Sequence, residues 1–171
     1  TYVTARLLLD DIRAKALTRL EVAEKATQLE MESLYPSALK AFLELAVESE
    51  LVSTDLLEYD LDRMARALIA DRYSQFTYLG LQTLYDRYFI HKDDVRIELP
   101  QVFFMRIAMG LALREENREE RAIEFYQLLS SFDYMASTPT LFNSGTLRSQ
   151  LSSCYLTTCL LYTSPSPRDC Q

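Results

Sequence analysis

Cys154 closes the run Gln150-Leu151-Ser152-Ser153-Cys154 and is followed by Tyr155-Leu156-Thr157-Thr158. A thiol can act as a nucleophile, as a reductant or as a small buried apolar group. Just upstream lies a segment of small and hydroxyl-bearing residues, Ala136-Ser137-Thr138-Pro139-Thr140-Leu141-Phe142-Asn143-Ser144-Gly145-Thr146. Serine and threonine hydroxyls and exposed loop amides can hold the oxygens of a phosphate or a sugar. A thiol beside such a loop suits chemistry on a polar small molecule. Residues 150–158 read as a strand, with Ser152, Cys154 and Leu156 on one face and Leu151, Ser153 and Tyr155 on the other. Taken alone, Cys154 reads first as a buried structural cysteine, because no basic partner that would lower its pKa is visible in the sequence.

Other reactive side chains read more plainly. Tyr73, Tyr78, Tyr85, Tyr88 and Tyr126 recur at helical spacings and are expected to pack in or at the edge of the core. His91, the only histidine, falls in a polar connector and is expected to be solvated. Glu115-Glu116 and Glu119-Glu120 sit at helical spacing from arginines, as on a solvated face rather than in an acid–base pair. The three cysteines, Cys154, Cys159 and Cys170, are spaced C-x4-C-x10-C, which matches no common zinc pattern. No metal site is expected.

The elements that must position this segment are helical. Val3, Leu7, Leu8 and Ile12 suggest a first amphipathic stripe. A looser acidic stretch runs from Glu21 to Glu32. Tyr35-Pro36 then opens a second helix with Leu39, Phe42, Leu43, Ala46 and Val47 inside, proline being suited to a first turn. Asp60 has the character of an N-cap ahead of Leu61, Met64, Ala65, Leu68 and Ile69. A further helix spans about Thr77 to Ile90 and buries Leu81, Leu84, Tyr85 and Tyr88. His91 to Asp94 connect it to a helix opened by Pro100, with Phe103, Ile107, Ala108 and Leu111 inside. A last helix, Arg118 to Phe132, turns Ala122, Ile123, Tyr126 and Leu129 inward. With so little glycine and proline in residues 1–136, hairpins are not expected and an all-α bundle is.

The 171 residues are 49% hydrophobic and 25% charged, with a net charge of −7. An acidic chain lacks the basic face of a generic nucleic-acid binder. No apolar run approaches the length of a membrane span. Cysteines crowded into the last eighteen residues argue against a disulfide scaffold and for a cytoplasmic protein. Thr1-Tyr2-Val3-Thr4 has neither an initiator methionine nor the layout of a signal peptide, so the chain is expected to begin inside a longer protein.

The run from Met135 through Thr146, followed by Gln150-Leu151-Ser152-Ser153-Cys154-Tyr155-Leu156, closely resembles the large (α) subunit of class I ribonucleoside-diphosphate reductase. Phe76-Thr77-Tyr78-Leu79-Gly80-Leu81-Gln82-Thr83-Leu84-Tyr85-Asp86-Arg87-Tyr88 is similar to the same subunit's helical N-terminal domain. The resemblance covers residues 1–158. It implies a mainly α fold: an all-α domain over 1–136, then over 137–158 the substrate loop and first strand of a truncated catalytic α/β barrel. It also implies an oxidoreductase that converts ribonucleoside diphosphates to 2′-deoxyribonucleoside diphosphates for DNA synthesis. In that family a cysteine thiyl radical takes the 3′ hydrogen, and two further cysteines supply reducing equivalents and become a disulfide. By the match, Cys154 is one member of that redox pair, and Thr138 and Ser153 lie near the substrate's diphosphate and ribose. Ideal alternation puts Ser153 and Cys154 on opposite faces, so one acts through its backbone or the strand is irregular there.

Partners follow from the same resemblance: the ribonucleoside diphosphate, a second α subunit, a smaller β subunit whose metal centre generates the radical, and thioredoxin or glutaredoxin as reductant. ATP or deoxynucleotides act as effectors in the family. No nucleic acid and no membrane is implied, and no cofactor is expected within this chain. The radical and resolving cysteines, the specificity loop and the C-terminal redox tail of the family lie beyond it, and its ATP-cone domain lies upstream. The chain alone is therefore expected to be inactive.

After Thr158 the resemblance stops. Cys159-Leu160-Leu161-Tyr162-Thr163-Ser164-Pro165-Ser166-Pro167-Arg168-Asp169 resembles the translation of a sequencing-library adapter, so residues 159–171 are expected to be a non-native tail without a fold. The competing reading of the whole chain is a stand-alone acidic helical interaction module without catalysis. That module would cover its apolar faces. A truncated subunit would instead leave Leu141, Phe142, Leu151, Tyr155 and Leu156 without neighbours. A thiol redox sensor built on Cys154 is weaker than either, because nothing in the sequence activates the thiol.

Overall fold

The computed structural model describes residues 2–154. The chain runs through α1 (Tyr2–Arg19), α2 (Gln28–Glu48), a 3-10 turn (Thr54–Glu58), α3 (Leu61–Arg66), a second 3-10 turn (Ala70–Gln75) and α4 (Tyr78–Arg87). It continues through β1 (His91–Lys92), β2 (Val95–Arg96), α5 (Pro100–Ala112), α6 (Arg118–Ser130) and α7 (Thr138–Asn143). The architecture is mainly helical, as expected. The expected strand over 150–158 is not formed in residues 150–154, which have no regular secondary structure. A strand needs a neighbour to accept its backbone hydrogen bonds, and among the described residues none pairs with 150–154. Residues 155–158 and the tail at 159–171 lie outside the described residues.

α5 is the centre of the core. Pro100 supplies its first turn, and Phe103, Phe104, Ile107 and Ala108 are fully buried. α6 packs on it most extensively, and α2, α7 and both 3-10 turns also lie against it. Ala122, Tyr126 and Leu129 line the inner face of α6 at i, i+4 and i+7. Tyr126 joins three elements. Its hydroxyl donates to Gln101 Oε1 at 2.6 Å and accepts from Ile69 N at 2.9 Å, and its ring carries the Arg72 guanidinium 5.9 Å from the centroid.

Several elements depart from their sequence reading. In α1 the buried face is Ala5, Leu9, Ile12 and Ala16, whereas Val3 and Leu7 are 71% and 65% exposed. Leu7-Leu8-Leu9 offers a leucine to either face, and the small Ala5 and Ala16 allow the closer approach. α2 begins at Gln28, eight residues before Pro36. The Glu30 carboxylate accepts from Thr27 N at 2.7 Å and from Thr27 Oγ1 at 2.8 Å, which starts the helix there. Pro36 is tolerated inside it because the carbonyl that loses its donor belongs to exposed Glu32. Asp60 caps α3 as read, accepting from Arg63 N at 3.0 Å.

His91 to Asp94 form a hairpin rather than a plain connector, with His91 opposite Arg96 and Lys92 opposite Val95. Asp93 and Asp94 both take positive φ, 51° and 61°, as a two-residue primed turn requires. Aspartate tolerates that conformation, so no glycine was needed to signal it. His91 is exposed.

Burial holds three tyrosine hydroxyls in the protonated form. Tyr59, whose hydroxyl donates to Met109 O at 2.8 Å, has its pKa pushed up to about 12 by burial, against the opposing pull of Arg118. Burial also raises Tyr35 and Tyr126. In the unfolded chain these groups titrate near 10. Their contribution to stability is therefore complete below pH ~10 and is lost as pH rises through the folded values. With no tryptophan present, tyrosinate absorbance reports this cleanly. The melting temperature should stay level up to pH ~10 and fall steeply toward pH ~12, with part of the tyrosine titration appearing only on unfolding.

Candidate functional site

The segment with the chemistry is moored to α5 by a buried charge. Arg106 and Glu98 are both fully buried. Arg106 Nε donates to Glu98 Oε1 at 2.7 Å and Nη2 reaches Glu98 Oε2 at 3.4 Å. The rest of the guanidinium faces the signature segment, where Nη1 donates to Ser144 O at 2.5 Å and Nη2 to Leu141 O at 3.3 Å. These carbonyls end α7, where a helix leaves acceptors unpaired and favours a cation. Glu98 Oε2 also accepts from Ile90 N at 3.0 Å, at the base of the hairpin. One ion pair thus ties the end of the α4 region, the hairpin, α5 and α7 together.

Backbone contact tightens the mooring. Gly145 sits at φ 77°, and a Cβ there would lie 2.9 Å from Arg106 O. A Cβ on Gly110 would lie 2.7 Å from Gly145 Cα, so the two glycines let α5 and the turn touch directly. Ser144 is buried and its hydroxyl donates to Ile107 O at 2.8 Å. Gly145 O accepts from Ser53 N at 3.0 Å, and Thr146 bridges Val52.

The expected loop over 136–146 therefore contains a short helix. Ser137 is its extended N-cap, with φ −67° and ψ 157°. The backbone bias that precedes a proline does not hold Thr138 extended. Pro139 falls inside the first turn of α7, where proline fits. Leu141, expected to lack neighbours, is buried against the core. Phe142 is 42% exposed, and Leu151 is half-buried. The expected neighbourless Tyr155 and Leu156 lie outside the described residues.

Thr138 is exposed at the start of α7, with its Oγ1 3.2 Å from the Tyr88 hydroxyl. Ser153 and Cys154 are exposed, and Cys154 is a free thiol. Among the described residues no hydrogen bond joins Thr138 to Ser153 or Cys154. What turns the chain back is Asn143, whose Nδ2 donates to Gln150 O at 2.7 Å. The carboxylates lie on a solvated face as expected, but their pairs are not the expected i, i+4 ones: Glu120 reaches across to Arg63 at 3.5 Å and Glu115 meets Arg121, six residues on, at 3.6 Å. Of the five tyrosines expected to pack, Tyr126 is buried, Tyr73, Tyr85 and Tyr88 are half-buried, and Tyr78 is 39% exposed.

Beside α7 lies an apolar groove walled by Phe76, Leu79, Leu84, Phe132, Met135 and Leu141, with Thr83 and Tyr88 at its rim. Leu79 is 74% exposed and Met135 49%. Phe132 stands at φ 62°, where glycine is usual. Its ring meets Phe76 edge-on at 5.2 Å and Phe104 at 5.9 Å, which offsets the strain.

Glu98 and Arg106 were not singled out in the sequence. The available signal was a lone arginine inside Phe103-Phe104-Met105-Arg106-Ile107-Ala108-Met109, which no solvated face can accommodate.

The sequence that builds this helical domain has counterparts among known proteins. The sequence profile of the ribonucleotide reductase all-alpha domain matches residues 74–149. The chain is 47% identical over 158 residues to the ribonucleoside-diphosphate reductase subunit alpha of Chlamydia muridarum, covering 92% of this chain and 14% of that protein. It is 44% identical over 120 residues to the subunit alpha of Helicobacter pylori, covering 69% and 15%. With the large subunit of Caenorhabditis elegans the identity is 37% over 103 residues, covering 60% and 13%. This chain belongs to the family of ribonucleoside-diphosphate reductase large subunits and spans about one-seventh of the length of these relatives.

Removing the charge of one member of the buried pair leaves the other without a counter-charge. Glu98→Gln should cost about 3 kcal/mol and lower the melting temperature by about 10 °C. Glu120→Gln, at an exposed pair, should change it by no more than about 2 °C. Thermal unfolding followed by circular dichroism compares the two.

Proposed function

We propose that this chain is the part of a ribonucleoside-diphosphate reductase large subunit that presents the substrate loop to the catalytic barrel. The whole enzyme reduces ribonucleoside diphosphates to their 2′-deoxy forms. The observation that carries this reading is the mooring of the Thr138–Thr146 segment. A buried ion pair and a glycine–glycine contact fix its backbone, while Thr138 remains exposed and available to a ligand.

In this reading Thr138 and Ser153 offer hydroxyls to the diphosphate and ribose oxygens. Cys154 is one of two thiols that together give up two electrons and two protons. The C2′ hydroxyl leaves as water and the two sulfurs join as a disulfide. The exposure of Cys154 suits a thiol that must meet a partner from a later part of the subunit. A second α subunit, a metal-containing β subunit, thioredoxin or glutaredoxin, and ATP or deoxynucleotide effectors belong to the same proposal, as does a cytoplasmic setting. No helix among the described residues is long and apolar enough to cross a membrane.

The stand-alone helical module fits less well. It requires covered apolar faces, yet Leu79 and Met135 are exposed along the groove beside α7.

Replacing Cys154 by serine in the full-length subunit tests the proposal. Multiple turnover of CDP with the small subunit and a dithiol reductant should be lost, while CDP still binds. Turnover close to that of the unaltered subunit would overturn the role given to Cys154.

A further inference from the structure

Tyr88 touches α7 twice. Its hydroxyl lies 3.2 Å from Thr138 Oγ1, and its ring centroid lies 4.7 Å from that of Phe142. Thr138 and Phe142 are one helical turn apart and so share a face of α7. Tyr88 lies across that face. Its own placement is fixed by the end of α4, where it is the C-cap and its N–H donates to Leu84 O at 2.9 Å.

The polarity of the hydroxyl pair matters. A threonine hydroxyl has one proton to give. A phosphate oxygen at neutral pH can only accept. If Thr138 gave its proton to Tyr88, it would present only lone pairs to an anion and repel it. If Tyr88 donates, Thr138 accepts from behind and its proton is turned toward the ligand. The phenol is the more acidic of the two hydroxyls, which favours Tyr88 as donor, and two hydrogen bonds in series polarise each other.

We propose that Tyr88 is a positioning residue for the diphosphate of the substrate: its hydroxyl donates to Thr138 and aims the Thr138 proton outward, while its ring on Phe142 sets the tilt of α7. The inference rests on the reading of Thr138 as a diphosphate contact given above. It assigns to α4, outside the signature segment, a part in substrate binding.

The test uses the full-length subunit that carries this chain and measures CDP and cytidine binding by calorimetry, so that no turnover is needed. Tyr88→Phe should weaken CDP about fivefold and Thr138→Val about tenfold, and the double variant should be no weaker than Thr138→Val alone. Cytidine, which lacks the diphosphate, should bind all of them alike. Thr138→Ser should recover most of the affinity lost in Thr138→Val. If Thr138→Val weakens CDP and Tyr88→Phe does not, this proposal fails and the reading of Thr138 stands. If neither weakens CDP, the reading of Thr138 fails and takes the proposal with it. Losses that add in the double variant, or a Tyr88→Phe subunit that melts well below the unaltered one, would make Tyr88 merely structural and overturn the proposal.

Discussion

The fold of this chain turns on one buried guanidinium. Arg106 is surrounded by apolar side chains of α5, and its Cζ lies 5.4 Å from the Phe103 ring centroid. Desolvating a charge of this kind is expensive unless nearly every donor is used. Glu98 uses one edge of the fork, and the carbonyls of Leu141 and Ser144 use the other. The cost of burial thus becomes a geometric demand. The guanidinium is satisfied only when the hairpin has delivered Glu98 and α7 has delivered its last carbonyls. Helical packing alone would leave the position of α7 to a few apolar contacts. The ion pair makes it specific.

Around that centre the two sides of the molecule differ in kind. On the α2, α5 and α6 side, aromatic and aliphatic residues interlock, and buried hydroxyls such as those of Tyr59 and Tyr126 find partners. Beside α7, Leu79 and Met135 stand open to solvent and Phe132 is held at an unfavourable φ by its neighbours' rings. Stability comes from the first side. The second presents the segment in which the chemistry of the sequence is concentrated.

Much of this was legible in the residues. The stripes of α2, α4, α5 and α6 follow their 3.6-residue period, whereas the stripe read as Leu61 to Ile69 is cut short because α3 ends at Arg66 and leaves Ile69 37% exposed. Asp60, Thr77 and Pro100 start helices through local first-turn chemistry that needs no tertiary context. The failures were of other kinds. Leu7 to Leu9 satisfy two helical faces, and only packing chooses between them. Pro36 is a start signal that a stronger one, Thr27 with Glu30, overrides. Asp93 and Asp94 make a turn usually marked by glycine. α7 is only six residues long, and its end is stabilised by Arg106, more than thirty positions back. The pairing of Glu98 with Arg106 has no periodic signature, because it depends on a hairpin before Glu98 and on a helix that only begins at Pro100, between the two. Thr138 and Cys154 stood out through the composition of their surroundings, whereas Tyr88 looked like one more packing tyrosine.

The contact between Gly110 and Gly145 has a mechanical consequence. Side chains between packed elements act as cushions, since rotamers adjust and absorb small displacements. Here backbone meets backbone with nothing in between. A shift of α5 by a few tenths of an ångström is passed to the turn without attenuation, and a push on the turn is returned to the helix in the same way. The segment bearing Thr138 therefore has almost no compliance of its own toward α5: it moves with the helix or it detaches.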